Sequence, residues 1–255
     1  MKENPFHIIS MEIIYLEETD STNNYMKRLL AGDKKPEEGT IVAARSQTAG
    51  RGQNKNRWES EPDKNLTFSL LLFPGVIPVN QQFLLSQITA LGIVDFLSSF
   101  CRLTGLSVKW PNDIYWNDQK ICGILIENLL SPYTISHTII GVGINMNQTV
   151  FRSDAPNPVS AKQITGEEYD LNAALHSVGS AILNRYMQLL SDKKELIRND
   201  YFSALYRRNG YFSYKDKNGL FSAHIKKIKD SGLLILETAD GEERNYAFKE
   251  VEFVN

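Results

Sequence analysis

The chain has 255 residues, 42% hydrophobic and 23% charged, with a net charge of −2. That length can bury a sizeable core, and the charge balance gives no overall pull toward nucleic acid or an anionic membrane, so any nucleotide contact must come from a local basic patch. No run of about 18 apolar residues reads as a membrane span, residues 1–5 start no signal-peptide core, and Cys101 and Cys122 form neither a disulfide framework nor a metal pattern, so a cytoplasmic protein is the plain reading.

Residues 11–16 read as a first strand, and Asp20 and Ser21 are good N-cap types for a helix carrying Tyr25/Leu29 and Met26/Leu30 at i,i+4. Residues 39–44 are a strand entering a basic loop, and 65–73 a strand leaving it. Residues 81–101 are the longest helical candidate, with Phe83, Leu84, Ile88, Leu91 and Val94 at 3.6-residue spacing. Short strands at 107–110 and 113–116 flank Pro111, and Asn117-Asp118 turns the chain into a strand over 120–130. Another apolar strand covers 138–145. Residues 147–166 are polar, contain Pro156 and Pro158, and read as a surface loop. Helices are predicted over 172–190 and 193–206. Beyond Gly210, the glycines 219, 232 and 241 punctuate short alternating strands, the texture of a small barrel, with a boundary near Arg208.

The loop Gly50-Arg51-Gly52-Gln53-Asn54-Lys55-Asn56-Arg57-Trp58 is the most informative stretch. From residue 41 to 58 there is no acidic side chain, yet Arg45, Arg51, Lys55 and Arg57 are basic. Glycines permit close backbone approach, cations contact anions, and an indole offers a flat face for a ring. On its own this fits a site closing over a phosphate-bearing molecule, an RNA contact or a solvated hairpin.

Four further motifs stand in order: Ser21-Thr22-Asn23, Lys109-Trp110-Pro111-Asn112-Asp113, Lys120-Ile121-Cys122-Gly123-Ile124-Leu125-Ile126-Glu127, and Gly141-Val142-Gly143-Ile144-Asn145-Met146-Asn147. With the loop, they resemble the biotin–protein ligases (biotin–[acetyl-CoA-carboxylase] ligase and holocarboxylase synthetase family) over nearly the whole chain. The resemblance implies an α/β fold of α+β type, with a mixed central β-sheet and helices packed mainly on one face. A catalytic biotin- and ATP-binding domain over 1–208 is followed by a small SH3-like β-barrel over 209–255. It also implies a magnesium- and ATP-dependent ligase. Biotin is activated as biotinyl-5'-AMP with loss of pyrophosphate, then passed to one lysine of a biotin acceptor such as the carboxyl carrier subunit of acetyl-CoA carboxylase. Family members are monomers or homodimers.

Carried over residue by residue, the resemblance gives biotin contacts at Ser21, Thr22, Asn23, Gln47, Arg51, Gly52, Gln53, Lys120 and Gly123. ATP or adenylate contacts fall at Trp58, Asn112, Gly141, Gly143 and Asn145. Lys120 would meet both the biotin carboxyl and the α-phosphate, a pair of anions that only a cation suits. Arg51 would lie near the phosphate or carboxylate. Asp113 is left with three roles: positioning the acceptor amine, taking its proton, or organising magnesium–ATP. No metal ligand set is named. Gln53 stands where many relatives carry arginine, and Lys55 and Asn56 also depart from the pattern, which puts adenylate retention in question. Trp110 reads as packing, the histidines 7, 137, 176 and 224 as incidental, and Lys249 and Glu250 as weak contact candidates in the barrel.

Some bacterial relatives carry an N-terminal winged helix-turn-helix, which needs roughly 60 residues. Only 20 residues precede Ser21, so no DNA-binding function is expected. Two other readings remain: a lipoate–protein ligase, which shares the two-step chemistry but not the loop and Lys-Trp-Pro-Asn-Asp as a set, and a non-catalytic module binding nucleic acid or biotin.

Overall fold

The computed structural model describes residues 9–53, 56–153 and 156–254. Lys55, His7 and the segment 1–5 singled out above lie outside the described residues. A seven-stranded sheet has the order β1-β2-β3-β7-β6-β5-β4. Its strands are β1 (Ile13–Thr19), β2 (Ile41–Gln47), β3 (Leu66–Leu72), β4 (Leu106–Lys109), β5 (Asp113–Trp116), β6 (Gln119–Leu130) and β7 (Ile135–Ile144). β1 and β2 run parallel, joined through helix α1 (Thr22–Ala31), and every other neighbouring pair is antiparallel.

β3 is buried along its whole length and divides the two faces of the sheet. Leu66, Phe68, Leu70 and Leu72 join the main core with α2 (Phe83–Ser99), α4 (Leu171–Leu190) and α5 (Lys194–Ser203). Thr67, Ser69 and Leu71, alternating with them, face the other way, where Met26 of α1 packs on Val42, Leu71 and Ile139. Three helices therefore cover one face, and α1 covers only part of the other. The uncovered part is an open cleft.

The stretch Val79–Ser99 is long and apolar enough, by length and composition, to cross a membrane. Counting an unbroken apolar run misses it, because Gln82, Ser86, Gln87 and Thr89 interrupt the run. Most of it is buried within the fold, as a core helix is.

β1 begins and ends later than the sequence suggests. Glu17 and Glu18 are tolerated because β1 is an edge strand with one paired side. The 147–166 segment is not all loop. Helix α3 (Ala161–Thr165) starts with a reciprocal capping box, Ser160 accepting from the Gln163 amide and Gln163 from the Ser160 amide.

A second, antiparallel sheet follows: β8 (Phe212–Asp216), β9 (Gly219–Ile228), β10 (Leu234–Thr238), β11 (Glu243–Tyr246) and β12 (Glu252–Phe253), in the order β11-β10-β9-β8-β12. It is SH3-like, and Tyr214 packs against Phe221 and Phe253 inside it. The sheet docks on the Trp110 turn. The indole Nε1 donates to Gly232 O at 2.9 Å, and the ring meets Phe248 edge-on. Trp110 thus packs the second sheet against this turn while also bordering the open cleft.

Candidate functional site

A cleft of about 980 Å³ opens on the α1 side of the seven-stranded sheet. The biotin and adenylate contacts carried over from the resemblance, together with Asp113, all border it: Ser21, Thr22, Asn23, Gln47, Arg51, Gly52, Gln53, Trp58, Asn112, Asp113, Lys120, Gly123, Gly141, Gly143 and Asn145. Its floor is flat because three strand positions lack a side chain. Gly123 and Gly143 face each other across β6 and β7. A Cβ on Gly143 would come within 2.3 Å of the Trp58 ring, and one on Gly123 within 2.9 Å. A Cβ on Gly141 would come within 2.4 Å of Asn23 Oδ1.

At the Gly141 end lies a set of uncharged polar groups. Ser21, Thr22 and Asn23 are all buried at the start of α1. Ser21 is the N-cap residue, but its side chain makes no capping hydrogen bond, so the hydroxyl is not spent on the helix. Thr22 N donates to Gln47 Oε1 at 2.8 Å, tying β2 to the helix start. Ser69 Oγ lies 2.8 Å from Thr22 Oγ1 and 2.6 Å from Asn23 Oδ1. This network fixes the amide and hydroxyl directions before any ligand arrives.

The other end is cationic. Straight alternation from Gly123 would send Lys120 to the core with Cys122. Instead, the β5–β6 register slips between Ile114 and Tyr115. Ile121 and Cys122 both go to the core, and Lys120 turns into the cleft. Its Nζ lies 2.8 Å from Asp113 Oδ1 and 5.8 Å from the centre of the Trp58 ring. Asp113 Oδ1 is buried, and no donor among the described residues aligns on it as a hydrogen bond. The contact with Lys120 is a charge pair.

Asn112 stabilises this turn. Its Nδ2 donates to Ile124 O at 2.7 Å, and Ile124 N returns a bond to Asn112 O. Asn145 also has a structural bond, from Nδ2 to Val159 O at 3.1 Å, which holds the 156–161 segment against β6.

The described arms of the basic loop, 50–53 and 56–58, pair with each other. Arg51 and Arg57 bridge antiparallel, Trp58 N donates to Gly50 O, and Gly52 N donates to Asn56 O at 2.7 Å. This pairing lays Trp58 on the glycine floor, with Nε1 buried and without a hydrogen-bond partner among the described residues. Arg51 does not reach Lys120. Its guanidinium donates to Asn24 Oδ1 at 3.0 Å and Glu127 Oε1 at 3.2 Å. Gln53 Oε1 is buried with no hydrogen-bond partner among the described residues.

Sequence reasoning passed over two residues. Lys109 lines the cleft with its amine 3.0 Å from Tyr115 OH and over the rings of Tyr115, Tyr206 and Phe253. Burial pushes its pKa below the ordinary lysine value, with Arg207 and Lys120 adding to the shift and Asp113 opposing it. Glu127 lies just behind the cleft. Burial alone would raise its pKa, but Lys27, Asn23 and Arg51 outweigh burial and hold it low. Strand alternation could have found Glu127, since Gly123, Leu125 and Glu127 share a face. The 147–166 segment and the second sheet also supply walls, through Phe151, Ser153, Pro156 and Pro158, and through Phe248, Lys249 and Phe253. Glu250 does not border the cleft.

The profile of the Biotin/lipoate A/B protein ligase family matches residues 15–145. The chain is 30% identical over 233 residues to a biotin–[acetyl-CoA-carboxylase] ligase of Paracoccus denitrificans, covering 89% of this chain and 94% of that one. It is 29% identical over 245 residues to the bifunctional ligase/repressor BirA of Bacillus spizizenii, covering 94% of this chain and 74% of the relative. Among solved structures, a biotin protein ligase from Aquifex aeolicus in complex with biotin and ATP superposes with a TM-score of 0.78. At 24% identity it spans 95% of this chain and 99% of that one, a likeness of fold.

Proposed function

The chain belongs to the Biotin/lipoate A/B protein ligase family, and on that footing we propose that it is an ATP-dependent biotin–protein ligase. It joins biotin to ATP as biotinyl-5'-AMP and then to a lysine of a biotin acceptor such as the carboxyl carrier subunit of acetyl-CoA carboxylase. The family includes lipoate ligases. The biotin-ligase name of the Paracoccus denitrificans relative weighs for biotin.

One observation carries the reading: a flat glycine floor joins an uncharged polar end to a cationic end. Ser21, Thr22, Asn23 and Gln47 suit a ureido ring, with a short aliphatic chain leading its carboxylate past Trp58, which covers Gly123 and Gly143, to Lys120. In the first step, a carboxylate oxygen attacks the α-phosphorus and pyrophosphate leaves. Lys120 neutralises the charge that grows between these two anions. Arg51 comes to the same phosphate, Trp58 and the paired loop arms exclude water from the mixed anhydride, and Asn145 and Trp58 hold the adenine end. In the second step, the acceptor amine attacks the acyl carbon, AMP leaves, and the amine's proton passes to a base. Asp113, whose Oδ1 has no aligned donor among the described residues, would take it.

Magnesium belongs with the triphosphate. It would need only one or two protein carboxylates, and Asp113 would be the residue to supply one. The proposed division is a ligase domain over 1–208 and an SH3-like domain over 209–255. Unpaired, buried Cys101 and Cys122 agree with a cytoplasmic location.

Incubation with biotin, ATP, magnesium and an isolated carboxyl carrier domain tests the function. The expected result is a one-biotin mass increase on a single acceptor lysine. No increase, or equal transfer of lipoate, contradicts it.

A further inference from the structure

Glu127 touches three groups with different tasks. Its Oε2 accepts from Asn23 Nδ2 at 2.9 Å, and its Oε1 accepts from Lys27 Nζ at 2.7 Å and Arg51 Nη2 at 3.2 Å. Asn23 Nδ2 also reaches Leu125 O at 3.4 Å, and its Oδ1 accepts from Ser69, so the amide is oriented from both ends. One carboxylate outside the cleft lining thus fixes the polar end and holds the loop arginine.

We propose that Glu127 is a positioning residue that orients Asn23 for the biotin ring and parks Arg51 away from the phosphate until an anion draws it across. Parking on Glu127 is reversible because of Lys27. When Arg51 leaves, Glu127 keeps its shorter bond to the Lys27 ammonium and is not left as an unpaired, half-buried carboxylate. Arg51 is 40% exposed, which makes its pair with Glu127 weak enough to exchange for a phosphate. Glu127 therefore competes with the adenylate for Arg51. Removing its charge favours Arg51 on the adenylate.

Glu127's role rests on the adenylation reading above, so two kinds of measurement are needed, ligand kinetics and proteolysis of the free protein. In the first, preformed biotinyl-adenylate is chased from the enzyme. Glu127→Gln is expected to release it roughly two- to fivefold more slowly than wild type, and the double variant with Arg51→Ala to release it at the Arg51→Ala rate. Unchanged or faster release, or slowing that persists without Arg51, overturns the parking role. The KM for biotin should rise in Glu127→Ala and recover in Glu127→Gln, whose amide oxygen still accepts from Asn23. Equal KM values in the two variants overturn the orienting role. In the second measurement, trypsin acts on the unliganded protein, where Glu127→Gln should speed cleavage after Arg51. An unchanged rate overturns the parking role whether or not wild type makes an adenylate. Absence of any adenylate in wild type counts against the ligase reading alone.

Discussion

The indole of Trp58 lies across Gly143, so close that a Cβ there would come within 2.3 Å of the ring. No side chain larger than hydrogen fits under the indole. Gly143→Ala should therefore lift Trp58 out of the cleft, costing about 1–2 kcal/mol in lost burial. Tryptophan emission should shift to the red, a shift absent when Gly143→Ala is made in a Trp58→Phe background, and the KM for ATP should rise. Unchanged emission would mean that the sheet yields in place of the ring.

Asn145 has two tasks to separate. As an adenine contact alone, its loss would raise the KM for ATP and leave stability untouched. Its bond to the Val159 carbonyl adds a structural role. Asn145→Ala should lower stability in urea by about 1–3 kcal/mol, the cost of an unpaired buried carbonyl, besides weakening ATP. A variant as stable as wild type would remove the structural role.

Lys109 gives a pH signature. Its folded-state pKa lies below the ordinary value of 10.5. Between the two values the unfolded chain binds more protons than the folded one, so stability rises with pH through that window. Below the folded value the penalty is present in full. Lys109→Met removes the penalty. Relative to wild type, the variant should be favoured most at neutral pH and lose that margin as pH climbs toward 10.5. Denaturant unfolding of both proteins at pH 7 and pH 10 measures the margin. A margin that is flat or grows with pH contradicts the burial of the amine.

Much of the fold was legible because its strands and long helices carry clean periodicity. β3 read as a strand from its apolar run, and α4 from Ala174, Val178 and Ile182 on one stripe. α3 is hidden in the sequence although Ser160 and Gln163 spell a capping box, because Pro156 and Pro158 just before it carry a loop signal. The glycines 123, 141 and 143 were legible as close approaches, but not as one floor, because only the β6–β7 register sets two of them side by side. Lys120 reaches the cleft through a bulge, which no two-residue period announces. Glu127 and Lys109 stayed hidden for a different reason. Their partners, Asn23, Arg51, Tyr206 and Phe253, lie far away in sequence, and only folding brings them together.

Biotin-dependent exchange of pyrophosphate into ATP tests the account most directly, comparing wild type with Lys120→Ala. The lysine sits against Asp113 at the cationic end of the cleft, where the acyl-phosphate bond would form. Exchange that requires biotin, does not occur with lipoate, and falls at least about a hundredfold, roughly the weight of one transition-state charge contact, in the folded variant is the predicted result. No exchange with biotin in the folded wild-type protein, or full exchange without Lys120, would contradict it.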